Sequence, residues 1–129
     1  MTSAIRFARR VYTGAGLYGL LVLLPMYFTV DQTGRDYPPV ITHLEYYYGF
    51  VGVAIAWQLA FLVIGRDPVR FRPIMPVTFV EKVIFAVPAT VMFARGALPP
   101  PIMAGAVIDL VLCTLFVAAY VRTAADAGR

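Results

Sequence analysis

The sequence is short of charge and of the side chains that usually carry chemistry. Only 14% of its 129 residues are Asp, Glu, Lys or Arg, where a soluble domain has about 25%. It has a single serine, Ser3, a single histidine, His43, and a single cysteine, Cys113. Each scarcity excludes something. A lone cysteine makes no internal disulfide and carries no information about redox compartment. One histidine excludes a haem held by two histidines of this chain. His43 and Glu45 are two ligand-type residues where zinc takes three or four from the protein, so no metal site is expected. Ser3 lies in the head of the chain, away from the partners that nucleophilic catalysis needs, and no catalytic residue is assigned.

Apolar sequence is what the chain has in abundance. Hydrophobic residues make up 60% of it and the mean hydropathy is +0.77, against about 45–50% apolar in a soluble domain. Runs of the roughly 20 residues that a membrane helix needs fall at 11–30, 46–65, 76–95 and 102–121. Lipid-exposed strand edges are forbidden in a bilayer. The expected fold is therefore all-α, an integral membrane bundle of four antiparallel transmembrane helices forming one domain over 1–129. These spans nearly exhaust the chain and leave no length for a soluble catalytic domain. The first run is too long for the core of a secretory signal, and the TVDQTG that ends it offers no cleavage site. A retained span is expected.

The net charge is +4, yet no basic surface interleaved with aromatics exists outside the runs, so nucleic acid is not an expected partner. The arginines instead speak for topology. Arg6, Arg9, Arg10, Arg66, Arg70, Arg72, Arg122 and Arg129 lie in the head, the second connection and the tail. The first and third connections hold only Arg35 and Arg95. By the positive-inside rule both termini are cytoplasmic, in a bacterial inner (plasma) membrane.

Small residues mark where helices can approach. GAGLYG, residues 14–19, matches the glycine pattern of dinucleotide-binding folds letter for letter, but the strand that must precede it is missing. In a membrane helix Ala15 and Gly19, four apart, form a packing face instead, as do Gly52, Ala56 and Ala60 in the second run. These stripes would also support a homodimer or contact with a membrane partner protein. Pro25 is expected to kink the outer half of the first span.

The polar exceptions matter most. The third run, PVTFVEKVIFAVPATVMFAR, carries Glu81 and Lys82, the fourth carries Asp109, and Gln58 is the strongly polar residue inside the second. A charge in hydrocarbon costs roughly 2.5–3.5 kcal/mol on insertion scales and points to function by default. Lys82 is expected to snorkel toward the cytoplasmic headgroups. Asp109, near mid-span, must be protonated, paired or facing a wet cavity. Folding the chain back around GALPPP sets Asp109 level with Ala89 and roughly 10 Å from Lys82, which makes Arg95 its expected partner. On this register the stripe 81, 85, 88, 92, 95 faces Ile102, Gly105, Asp109, Cys113 and Phe116. An inner polar layer of Glu81, Gln58 and Tyr12 or Tyr18 lies below. The candidate binding residues are Glu81, Lys82, Asp109, Arg95 and Gln58.

Four short spans, the basic connection GRDPVRFRP and a last span ending in AYVRT resemble small uncharacterised bacterial membrane proteins of the DoxX-like kind. The resemblance implies a link to quinone-dependent sulfur or redox chemistry, with quinone as the cofactor, and transfers no catalytic residue. Small multidrug transporters, the other four-span plan, carry their coupling glutamate in the first span, where this chain has none. Three functions follow as expectations. The first is a non-enzymatic subunit or binding module without a cofactor. The second is a proton-coupled transporter using Glu81 and Asp109, and the third is a quinone-linked redox protein.

Overall fold

The computed structural model describes residues 1–129 and contains helices and no strand. Helix α1, Ser3–Tyr27, starts within the basic head rather than at Val11. Thr2 is the reason: its Oγ1 accepts the Ile5 N–H at 3.2 Å and satisfies one of the free donors of the first turn. The chain breaks after Tyr27, two residues past Pro25, and turns through 94° into a short helix α2, Val30–Asp36. The connection read as polar loop is thus partly helical. Helix α3 covers Leu44–Arg66, α4 Met75–Ala94 after a 3-10 turn at Arg72–Ile74, α5 Pro100–Arg122, and α6 Ala124–Ala127. Three of these (α3, α4 with its preceding turn, and α5) are long and apolar enough to cross a membrane. Helix α1 makes a fourth only when taken together with the bent α2.

The reversal between α4 and α5 is sharp. Gly96 takes φ +72°, its N–H donates to Phe93 O at 3.0 Å, and the Ala97 N–H reaches back to Met92 O at 2.8 Å. That is the Schellman arrangement, which needs a left-handed residue just past the helix end and so selects glycine.

The long helices form two antiparallel pairs, α1 with α3 and α4 with α5, joined along α1 and α5; α3 and α4 do not pack closely on each other. The main core lies at the end where both termini and the 66–72 connection gather. There Ala8, Tyr12, Phe61, Ile64, Met75, Phe116 and Ala119 are buried together. The rings of Tyr12 and Phe116 stack at 4.3 Å, Phe61 tilts against Phe116 at 5.0 Å, and the Tyr12 hydroxyl pairs with Thr78 Oγ1 at 2.9 Å. Arginines tie off the helix ends here: Arg9 donates to the carbonyls of Gly65 and Arg66, and Arg72 to that of Tyr120 while lying over its ring. Cations there complement the negative C-terminal ends of α3 and α5.

Close approach of α1 to α3 comes from glycines on α1. A Cβ on Gly16 would stand 2.8 Å from the Gln58 carbonyl oxygen, and one on Gly19 would overlap the Gln58 side chain. The expected stripe Gly52, Ala56, Ala60 is not the packing face of α3. Ala56 is exposed, and Tyr47, Val51, Gln58, Phe61 and Ile64 point inward instead. Since α1 supplies the small residues, α3 brings its large ones. A second cluster, Ala86, Ala89 and Ala106, packs α4 on α5. Outward, Leu21, Ile84 and Val121 are 77%, 69% and 64% exposed, part of an apolar surface far broader than water tolerates in a monomer.

Candidate functional site

Beyond the aromatic core the two helix pairs splay and enclose a cavity of about 400 Å³. Val22, Leu23 and Met26 of α1, Phe50 and Ala54 of α3, Phe85 of α4 and Ile102 of α5 make its walls apolar. Thr33 of α2 and Tyr37 after it line the far end. That end is held by the Tyr47 hydroxyl, which lies 3.2 Å from Thr33 Oγ1 and donates to the Met26 carbonyl.

The floor of the cavity is polar. Lys82, the one lysine of the chain, is 4% exposed; its Nζ stands 3.1 Å from Asp109 Oδ1 and 3.5 Å from Glu81 Oε2, with the Phe61 ring 5.2 Å away. Glu81 Oε2 is buried and makes no hydrogen bond, although the ammonium is close. Gln58, 3% exposed, donates its Nε2 to the Ala54 carbonyl at 2.9 Å and leaves Oε1 without a hydrogen-bond donor. Its side chain has room only because Gly19 faces it. Tyr18 completes the floor. The cluster therefore has more acceptors than donors, and with both carboxylates ionised it carries one excess negative charge.

Of the five candidate residues, the structure brings Glu81, Lys82, Asp109 and Gln58 to one cavity and leaves Arg95 outside. Arg95 is the exposed C-cap of α4 and makes no ion pair. The expected Arg95–Asp109 pair is thus replaced by Lys82–Asp109, and Lys82 turns inward instead of snorkelling. The cause is register. The chain reverses at Gly96, before the prolines, and Leu98 packs back on the Ala86–Ala106 cluster. This sets Ala106 against Ala86 and Ala89 and brings Cys113 Sγ within 3.9 Å of the Phe79 carbonyl, so Asp109 falls level with Lys82. The inward face of α4 is accordingly Met75, Thr78, Lys82, Ala86 and Ala89, rotated from the expected stripe.

Tyr18 joins the floor, as one of two expected alternatives, whereas Tyr12 lies in the core below it. Phe61, Thr33 and Tyr37 carry no sequence signal for a place at the site; nothing in the spacing of the 31–45 connection signals that it returns over the cavity. His43 Nδ1 and Glu45 Oε1 meet at 3.3 Å on the surface, and no group of three or more ligand-type side chains is placed to hold a metal. No protein-family profile, curated protein or solved structure matches this chain.

Proposed function

We propose that this chain is a non-enzymatic integral membrane binding module, with four spans and cytoplasmic termini, that holds a small amphipathic ligand between its two helix pairs. The observation that carries the reading is the convergence of Glu81, Lys82 and Asp109 on the floor of one apolar cavity. A charged pair that merely fixed helix register would need no cavity beside it, and buried ionic groups bring little net stability by themselves. The exposed apolar surface and the arginines gathered at one end support the membrane placement.

Native mass spectrometry of the full chain released from a mild detergent tests the reading and reports oligomeric state at once. The expected result is a retained mass beyond ordinary lipid, lost in Gly105→Phe. Gly105 lines the cavity and a Cβ there meets nothing within 4 Å, so a larger side chain can start from this position without a clash at its Cβ. A mass that Gly105→Phe leaves in place would move the ligand elsewhere and remove this reading.

One observation favours a second reading, a proton-coupled carrier. Two carboxylates share one lysine, so a proton or a cation can balance the remaining charge. That reading requires Glu81→Gln or Asp109→Asn to abolish flux while the protein still inserts. The quinone-linked alternative has its support in the DoxX-like resemblance. A quinone presents carbonyl acceptors, and the donor-bearing residues that line the floor are Lys82, already engaged by Asp109, Gln58, already engaged by Ala54, and Tyr18.

A further inference from the structure

We infer that the ligand is an amphipathic organic cation with N–H donors, bound with its charged group on Glu81 and Gln58 and its apolar body along the cavity. The inference deepens the binding-module reading and rests on it. Two acceptors of the lining receive no hydrogen bond: the Glu81 carboxylate, whose Oε2 is buried 3.5 Å from Lys82 Nζ while 18% of the side chain stays open, and Gln58 Oε1, which lies against Gly19. Buried acceptors are rarely left unpaired, and each unpaired one calls for an explanation. An N–H donor from the ligand can reach the open part of the Glu81 carboxylate, beside Gln58.

Charge selects the same class. Lys82 is turned to Asp109 at 3.1 Å, which leaves Glu81, its Oε2 3.5 Å from Nζ, as the less compensated carboxylate. No arginine lines the cavity, so the site offers an anion no free cationic partner. A ligand bearing one positive charge brings the floor to neutrality, which a low-dielectric interior strongly favours. The rest of the lining is suited to an apolar body, and it includes Tyr18, Phe50 and Phe85, aromatic side chains of the type that attracts a cation. A volume of about 400 Å³ is within the range of small-molecule sites.

The test is equilibrium dialysis on the full chain in phosphatidylcholine nanodiscs, with empty nanodiscs subtracted. Four probes built on one arylalkyl group separate charge from hydrogen bonding: its primary ammonium, its trimethylphosphonium, a neutral benzoquinone bearing it and its carboxylate. The ammonium should bind saturably at one per chain and more tightly than the phosphonium, which has charge but no donor. Glu81→Gln should weaken it at least tenfold, Glu81→Asp less, and Gly105→Phe should abolish it. Ammonium binding that Glu81→Gln leaves unchanged overturns the assignment. So does preferential binding of the quinone or the carboxylate. If that binding is lost in Gly105→Phe, the cavity reading stands while the cation class falls. If no probe binds in a manner sensitive to Gly105→Phe, both fall together. Should Glu81→Gln fail to fold, the order wild type, Glu81→Asp, Gly105→Phe in ammonium affinity decides, and any other order counts against the inference.

Discussion

Lys82 Nζ lies 3.1 Å from Asp109 Oδ1, so the lone lysine of the chain clamps the middle of α4 to the middle of α5. Its removal would leave two carboxylates on the cavity floor without their shared cation. Lys82→Met should destabilise the fold by roughly 3 kcal/mol, the lower end of the cost of breaking a buried pair. The lower end applies because the Asp109 side chain keeps 21% of its surface open to the cavity. A double-mutant cycle measured by denaturant unfolding in detergent checks this. Lys82→Met and Asp109→Asn should be non-additive by about 1 kcal/mol or more, while Arg95→Ala and Asp109→Asn should add within about 0.5 kcal/mol. Coupling to Arg95 in place of Lys82 would restore the register expected from the sequence.

Two glycines should respond in opposite directions. At Gly16 a methyl group meets the backbone oxygen of Gln58 and the Leu62 side chain, both within 2.9 Å. Helices α1 and α3 would have to part, so Gly16→Ala should cost about 1–3 kcal/mol, as overpacking does. At Gly105 the same methyl meets nothing within 4 Å. There Gly→Ala only removes backbone freedom from the unfolded chain and should stabilise by about 0.5–1 kcal/mol. Unfolding midpoints of the two variants, measured side by side, decide; equal shifts would mean that α1 and α3 are not this close.

Much of this fold is legible in the sequence, because the cost of exposing backbone polar groups to hydrocarbon forces apolar runs to be helical. The runs 46–65, 76–95 and 102–121 differ from α3, α4 and α5 by only one or two residues at each end. The polar residues that matter, Glu81, Lys82, Asp109 and Gln58, stand out for the same reason. Their pairing does not. It depends on where the chain reverses, and one residue, Gly96 rather than the proline run after it, moved Asp109 from Ala89 to Lys82. The helix break after Tyr27 and the return of Tyr37 over the cavity are equally tertiary, set by the Tyr47 contacts to Thr33 and Met26. The small-residue stripe on α3 misled because a glycine face on one helix is matched by large side chains on its partner.

The aromatic core offers a graded test. Tyr12→Phe keeps the stack on Phe116 and removes only the hydroxyl that meets Thr78 Oγ1 at 2.9 Å. Thr78 still donates to the Met75 carbonyl, so no donor is stranded. The loss should be about 1 kcal/mol, that of one net hydrogen bond. Tyr12→Ala removes a fully buried ring and should cost about 3–5 kcal/mol. Thermal unfolding in detergent micelles would show the two steps; a Tyr12→Phe loss as large as that of Tyr12→Ala would mean that the hydroxyl, not the ring, holds this end of the bundle.

Orientation in the membrane can be read with cysteines that leave every charge in place. Thr42 precedes α3 and Ala127 lies in α6; both are exposed and uncharged. In a Cys113→Ala background, Thr42→Cys should react with a membrane-impermeant maleimide in intact cells. Ala127→Cys should react only after permeabilisation. The expectation follows from the arginines. Arg9, Arg72 and Arg122 sit at the end of the bundle that holds the aromatic core, against Gly65, Tyr120 and Phe7 respectively. A bundle that buried this end first would have to carry those guanidinium groups across the bilayer, at roughly 2.5–3.5 kcal/mol each on insertion scales. The reverse labelling pattern would turn the cavity, which lies toward Thr42, to face the cytoplasmic half of the membrane and would assign its ligand to that side.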